Sequence, residues 1–358
     1  MPAASLHDTG PWRWRGVPTT GYLLACMGAV LVTGGAGYIG SFIARALREA
    51  GRRHVVVDNL SAGHADSITG SPLVRASLAD RKALTALLRE HQVEWIIHMA
   101  AHSLVGESMT DPAKYWRNNL VGSLSLLESA REAGVRGFVL SSTAAVYGEP
   151  VRVPIDEEHP TAPTNVYGET KLAVERLLAA LHRAHGFPSV SLRYFNAAGA
   201  SADGALGEDH SRETHLIPLV IGAAAGTRPP VTVLGDDYPT SDGTGVRDYI
   251  HVEDLADAHL RALALLESGG AESEVFNLGG GEGRSVREVI DLVAKVTGRP
   301  VPHTTGPRRA GDPAVLVASS ERARGRLGWS SPRSGLETIV ESAWKWHRGH
   351  PDGYRSGG

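Results

Sequence analysis

The chain predicts an α/β fold, a doubly wound parallel sheet followed by a smaller α/β lobe. From Met27 onward, short apolar or β-branched runs alternate with longer amphipathic stretches, the pattern of a parallel sheet covered by helices. The first run passes directly into a glycine-rich turn and then a helical stretch, Gly34-Gly35-Ala36-Gly37-Tyr38-Ile39-Gly40. After Asn196 the texture changes, with Gly, Asp and Pro clusters at 200–212 and 235–245 that read as loops around short strands.

In order, the predicted strands are Ala29 to Thr33, His54 to Asp58, Trp95 to Met99, Gly137 to Ser142 and Ser189 to Tyr194. The helical stretches between them are Ile39 to Glu49, Arg81 to His91, Pro112 to Ala133 and Tyr167 to His185. Residues 27–196 should form a Rossmann-like dinucleotide-binding domain, and 197–358 mainly the substrate-binding lobe. Residues 1–26 lack periodicity and read as an extension with little order before a natural start at Met27. The apolar run Tyr22 to Val32 is too short to span a bilayer. It also contains the first strand, so it reads as buried structure and not as a leader.

Composition narrows the function classes. A chain of 358 residues has room for two lobes around a cleft. The net charge of −3, with no long basic run, argues against a nucleic-acid partner. Cys26 is the one cysteine, so there is no internal disulfide, which fits a reducing cytoplasm. The 16 histidines are scattered without an HExxH pattern or facial set, so no metal is expected. His98 reads as a core-edge histidine, and Trp344 and Trp346 as packing for a terminal helix.

In the glycine loop, glycines allow a tight turn and close approach of backbone amides to phosphates, above the positive end of a helix dipole. Asp58 ends the next strand near the offset expected of a ribose-binding acid and favours NAD, because a carboxylate repels the additional phosphate of NADP.

Tyr167-Gly168-Glu169-Thr170-Lys171 opens a helix and places a phenol and an ammonium on one face. An ammonium about 6 Å away at an effective dielectric near 20 contributes on the order of 3 kcal/mol, about two pKa units, which would make the tyrosine a usable base. Upstream, Phe138-Val139-Leu140 runs into Ser141-Ser142-Thr143, presenting hydroxyls where open α/β sheets place their ligands. Ser141 and Ser142 read as capping the strand end, Thr143 as a partner for a substrate hydroxyl.

These residues, with Ser142-Thr143-Ala144-Ala145-Val146-Tyr147-Gly148, Arg193-Tyr194-Phe195-Asn196 and Gly243-Thr244-Gly245-Val246-Arg247-Asp248-Tyr249-Ile250-His251-Val252, closely resemble the UDP-glucose 4-epimerase family of extended short-chain dehydrogenases/reductases. The resemblance covers Met27 to Tyr354. It implies a UDP-sugar substrate, bound NAD and transient oxidation at sugar C4 with Tyr167, Lys171 and Thr143 as catalytic residues. It further implies cofactor contacts at Gly34, Gly37, Tyr38, Ile39, Gly40, Asp58, Asn59, Ser77, Leu78, Asn118, Lys171 and Phe195. Substrate contacts would be Thr143, Asn196, His215, Leu216, Arg247, Arg309 and Asp312, the arginines suiting a diphosphate. A homodimer pairing through 112–133 and 167–185 is implied as well.

The sequence also departs from the family. Ser77 stands where relatives often carry an acid, and Ala100-Ala101-His102-Ser103 lacks a lysine of some members. Leu316 stands where relatives carry a tyrosine that excludes N-acetylated sugars or a small residue that admits them, so sugar selectivity stays open between hexose, N-acetylhexosamine and pentose. Ala144-Ala145 replaces the acid pair of the related 4,6-dehydratases and argues against dehydration. A regulatory NAD-binding protein without catalysis is disfavoured by intact Thr143, Tyr167 and Lys171.

Overall fold

The computed structural model describes residues 28–309 and 312–354. The expected extension 1–26, Cys26 and the expected start at Met27 lie outside the described residues. The strands are β1 (Ala29–Thr33), β2 (His54–Asp58), β3 (Leu73–Arg75), β4 (Val93–His98), β5 (Gly137–Thr143), β6 (Ser189–Tyr194), β7 (Asn196–Ala198), β8 (Val231–Leu234), β9 (Val246–His251), β10 (Ser273–Leu278), β11 (Gly283–Ser285), β12 (His303–Gly306) and β13 (Val315–Leu316). The main helices are α1 (Tyr38–Glu49), α2 (Arg81–Glu90), α3 (Gly122–Ala133), α4 (Val166–His185), α5 (Leu216–Ala225), α6 (Val252–Glu267), α7 (Val286–Thr297), α8 (Glu321–Leu327) and α9 (Leu336–Gly349).

A seven-stranded sheet runs β10-β6-β5-β4-β1-β2-β3, with every pairing parallel. Every residue of β1 and β5 is buried, because helices cover both faces and leave no solvated side to alternate with. Phe42, Ile43 and Leu47 of α1 meet Leu255, Leu263 and Leu266 of α6 in the core on one face. On the other, Leu84 and Leu88 of α2, Leu126 and Leu127 of α3 and Val174 and Leu178 of α4 close a second core. Strand order reverses between β1 and β4, which opens a crevice beyond their carboxyl ends.

The bounds of β1, β2 and β6 coincide with the sequence expectation. The long helix expected over 112–133 is interrupted by a π-helical stretch, Trp116–Val121, a distortion frequent at functional sites. The short β3 is absent from the strands that the apolar pattern predicts, and β10, although far along the chain, returns to pair with β6.

Beyond β6, the sheet β11-β9-β13, with β7 paired to β9, and the pair β12-β8 form the smaller lobe. Its core joins Ile217 and Val220 of α5, Val293 of α7, and Ile339 and Val340 of α9. Trp346 is buried and Trp344 packs against the smaller core, as a terminal helix requires. No helix among the described residues is long and apolar enough to cross a membrane.

Candidate active site

The glycine loop sits at the strand-order reversal. Gly34 has φ +65°, and a Cβ there would lie 2.6 Å from the Ala100 nitrogen. One at Gly40 would lie 2.3 Å from the Gly34 carbonyl oxygen, so a glycine is needed where α1 crosses the loop. Gly37 caps α1 with no side-chain hydrogen bond, leaving the first amides, those of Tyr38, Ile39 and Gly40, without the partner a helix start requires. Asp58 accepts from the Ala36 amide at 3.0 Å and the Leu60 amide at 2.8 Å, bracing the loop from β2. A glycine cradle that a Cβ would fill and an uncapped helix start fit a dinucleotide pyrophosphate.

Other expected cofactor residues surround this crevice. The Tyr38 hydroxyl donates to the Gly199 carbonyl at 2.6 Å, which turns its ring toward the smaller lobe and leaves its amide at the loop. Asn59 is exposed and accepts from the Ser61 amide at 3.0 Å. Ser77 is also exposed and accepts from the Ala79 amide at 3.2 Å, while Leu78 packs on the core. Asn118, in the π stretch, donates to Asn119 Oδ1 at 3.0 Å.

Asn119 escaped the sequence reading. Its buried amide accepts from the His102 amide at 2.9 Å and donates to the His102 carbonyl at 3.0 Å and to Thr170 Oγ1 at 3.1 Å, clamping the loop after β4 to α4. His98 is the satisfied histidine expected, bonded to Thr33 Oγ1 at 2.7 Å and Ser123 Oγ at 2.8 Å.

At the next strand edge, Asn165 caps α4 by accepting from the Gly168 amide at 2.9 Å. This fixes Tyr167 and Lys171 in the opening turns, both buried. Thr143 ends β5 and its hydroxyl accepts from the Ala145 amide at 3.1 Å. Lys171 Nζ donates to the Ser141 carbonyl at 2.6 Å, and the Ser141 hydroxyl meets that of Tyr194. Ser141 therefore does more than cap the strand.

Burial raises the Tyr167 phenol to about 12, opposed by its bond with the Thr143 side chain. Burial also lowers Lys171 to about 8, with the Glu175 carboxylate opposing. Without the cofactor, burial therefore outweighs the contribution expected of the ammonium at Tyr167, and Lys171 donates to the Ser141 carbonyl.

Behind the pair lies a polar network absent from the sequence reading. Glu175 accepts from Ser142 Oγ at 2.5 Å and from Arg193 Nε at 3.0 Å. Arg193 also donates to Tyr147 Oη at 2.9 Å, whose hydroxyl donates to Asn277 Oδ1 at 2.7 Å. The network links α4, β5, β6 and β10 beneath the site.

In the smaller lobe, Asn196 opens β7 opposite Tyr249. Arg247 donates to Asp312 Oδ1 at 2.6 Å, and Arg309 is exposed, its carbonyl accepting from the Asp312 amide at 3.2 Å. Leu316, paired in register with Arg247, and Phe195 both pack against the cluster of Ala144, Tyr147 and Leu172. His215 precedes α5, which begins at Leu216, and bonds through Nδ1 to the Glu208 carboxylate. The absence of any converging histidine set in the sequence reading is corrected here: Glu208, His210, Glu213 and His215 bring their ligand atoms within 4.8 Å of one another.

A parallel sheet with an uncapped glycine loop at its reversal point, next to a buried Tyr-Lys pair, defines a dinucleotide-dependent α/β enzyme. The chain belongs to the NAD dependent epimerase/dehydratase family, whose model matches residues 30–279. It is 51% identical over 326 residues to the UDP-glucose 4-epimerase of Halalkalibacterium halodurans, covering 91% of this chain and 97% of that one. A solved UDP-glucose 4-epimerase superposes with a TM-score of 0.89 at 49% identity, over 92% of this chain and 100% of that chain. The Brucella ovis UDP-glucose 4-epimerase in complex with NAD gives 0.87 at 45% identity, over 89% and 98%.

Proposed function

We propose that the protein is an NAD-dependent nucleotide-sugar 4-epimerase that interconverts UDP-glucose and UDP-galactose in galactose metabolism. The observation that carries this reading is the buried Tyr167 beside Thr143 at the edge of β5, next to the glycine-loop crevice, in a chain about half identical to UDP-glucose 4-epimerases. Bound NAD supplies the acceptor, then the donor, of the C4 hydride and a cationic ring in the crevice. Tyr167 takes the proton of the C4 hydroxyl and returns it after the 4-keto sugar has presented its other face. Thr143 orients that hydroxyl. Lys171 holds α4 against β5 and would bond the cofactor. Gly34, Gly37, Tyr38, Ile39 and Gly40 would hold the pyrophosphate, Asp58 and Asn59 the ribose, Ser77 and Leu78 the adenine side, with Asn118 and Phe195 completing the crevice. Arg247 and Arg309 hold the UDP diphosphate with Asn196, His215, Leu216 and Asp312 around it.

The test is incubation of purified protein with UDP-galactose, UDP-N-acetylgalactosamine and UDP-arabinose, followed by separation of the products. UDP-glucose should form without stoichiometric consumption of NAD, and Tyr167→Phe should lower the rate about 10²–10⁴-fold. A parent protein that leaves UDP-galactose unchanged with NAD present would overturn the proposal. The second reading, a 4-epimerase of UDP-N-acetylhexosamine or UDP-pentose, rests on Leu316, which is neither the tyrosine nor the small residue that the resemblance places there.

The assembly we propose is a homodimer. Val121 and Leu124, 55% and 40% exposed, leave apolar surface on the 112–133 helix, and a groove between it and α4 is lined by Trp116, Leu172 and Ala173 together with Glu169 and Arg176. Light scattering on the full chain should give twice the chain mass. A cytoplasmic location belongs to the same reading and rests on the single cysteine.

A further inference from the structure

In the segment before α5, four side chains in the pattern Glu-x-His-x-x-Glu-x-His converge between the two lobes. We propose that Glu208, His210, Glu213 and His215 form a binding site for one divalent transition-metal ion of the zinc type, which orders the segment leading into α5.

The spacing of the ligand atoms carries the proposal. His210 Nδ1 lies 3.4 Å from Glu208 Oε1 and 3.4 Å from Glu213 Oε2. His215 Nδ1 touches the Glu208 carboxylate and lies 3.7 Å from Glu213 Oε1. A tetrahedral ion with ligands at about 2.0–2.1 Å has ligand-to-ligand edges of about 3.3–3.4 Å, which three of these separations approach, so a zinc ion fits once the direct contact between His215 and Glu208 opens. Two neutral imidazoles and two carboxylates offset a double positive charge. A nitrogen and oxygen set suits zinc, cobalt, nickel or manganese, and lacks the thiolates that select softer ions.

Burial agrees with this arrangement. The Glu208 and Glu213 side chains are 3% and 2% exposed, and two buried carboxylates pointing at one place need positive charge between them. The imidazoles, 30% and 48% exposed, form the open side through which an ion enters. Glu213 is further fixed by the amides of Thr214 and His215, each at 2.7 Å. His210 meets the Tyr38 ring edge-on at 6.4 Å, so the site lies beside the start of α1. The competing arrangement neutralises the carboxylates with two protonated imidazoles and takes no metal.

The full chain, dialysed against chelator, is titrated with zinc chloride and with cobalt chloride, and bound metal is counted by elemental analysis. The site predicts about one ion per chain, a visible cobalt spectrum of tetrahedral type, and a zinc-dependent rise in melting temperature. His210→Ala and Glu213→Gln should each weaken zinc binding about tenfold or more. A parent binding no stoichiometric zinc, a six-coordinate cobalt spectrum, or affinity unchanged in both variants would overturn the proposal. If the variants fail to fold, the parent stoichiometry and cobalt spectrum still decide it. These readouts are independent of turnover, so their failure leaves the epimerase reading untouched.

Discussion

Lys171 Nζ donates to the carbonyl oxygen of Ser141 at 2.6 Å, tying α4 to β5 two residues before Thr143. The lysine thus sets the spacing between the helix that carries Tyr167 and the strand that carries Thr143. It does so from a buried position that disfavours its charge, and that conflict makes it measurable.

The folded-state pKa of Lys171 is lowered from 10.5 to about 8 by burial. Between those values the unfolded chain binds a proton that the folded protein does not, so stability rises with pH across the window. Below about pH 8 the buried ammonium is present and its full desolvation cost applies. In urea unfolding the parent should gain about 2 kcal/mol relative to Lys171→Met between about pH 7.5 and about pH 9.5. A constant difference between the two proteins would show that the ammonium is solvated.

Tyr167 should titrate with a midpoint of about 12 in protein freed of dinucleotide, because burial raises the phenol. Ultraviolet difference titration of the parent against Tyr167→Phe isolates this group from the other tyrosines. A cation placed nearby favours the phenolate, so saturation with NAD should move the midpoint down. A cofactor-free midpoint at the ordinary value near 10 would contradict the burial argument.

Glu175 and Arg193 are 6% and 7% exposed and joined at 2.5 Å. Removing one partner leaves a buried charge uncompensated, so Glu175→Leu should cost about 3–5 kcal/mol in unfolding free energy. Glu175→Leu combined with Arg193→Met should recover part of that loss, because no lone charge is left. Equal losses in the single and double variants would mean that the network contributes only packing.

The strands β1, β2 and β6 were legible because burial on both faces or a glycine turn marks them without tertiary context. Strand β10 was not, since Ser273, Glu274 and Asn277 interrupt its apolar residues. Its partner β6 lies some eighty positions earlier, and only folding shows that the edge of the large sheet is open there. Helical spacing pairs Tyr167 with Lys171, a strand end marks Thr143, and the resemblance implies their roles, but the direction of the phenol shift is not legible, because it depends on burial. The Glu208 to His215 set has no helical period and becomes visible only when the loop closes on itself. Asn119 and Glu175 act at a distance along the chain, and no local motif announces them.

Sugar selectivity should respond to Leu316. Its strand pairs β13 with β9 so that Leu316 lies in register with Arg247, and it shares a packing cluster with Phe195, Tyr147 and Leu172 close to the Thr143 turn. A side chain so held is a wall and not a mobile loop tip, and its volume should decide what fits at the sugar's C2 substituent. Leu316→Tyr should lower kcat/KM for UDP-N-acetylgalactosamine relative to UDP-galactose by about 10–100-fold, the range that small changes in pocket volume produce. Leu316→Ala should move the same ratio in the opposite direction. If Arg247 and Arg309 hold the diphosphate as proposed, the ratio should change while binding of UDP alone changes far less; a ratio that stays constant across all three proteins would place the selectivity wall elsewhere.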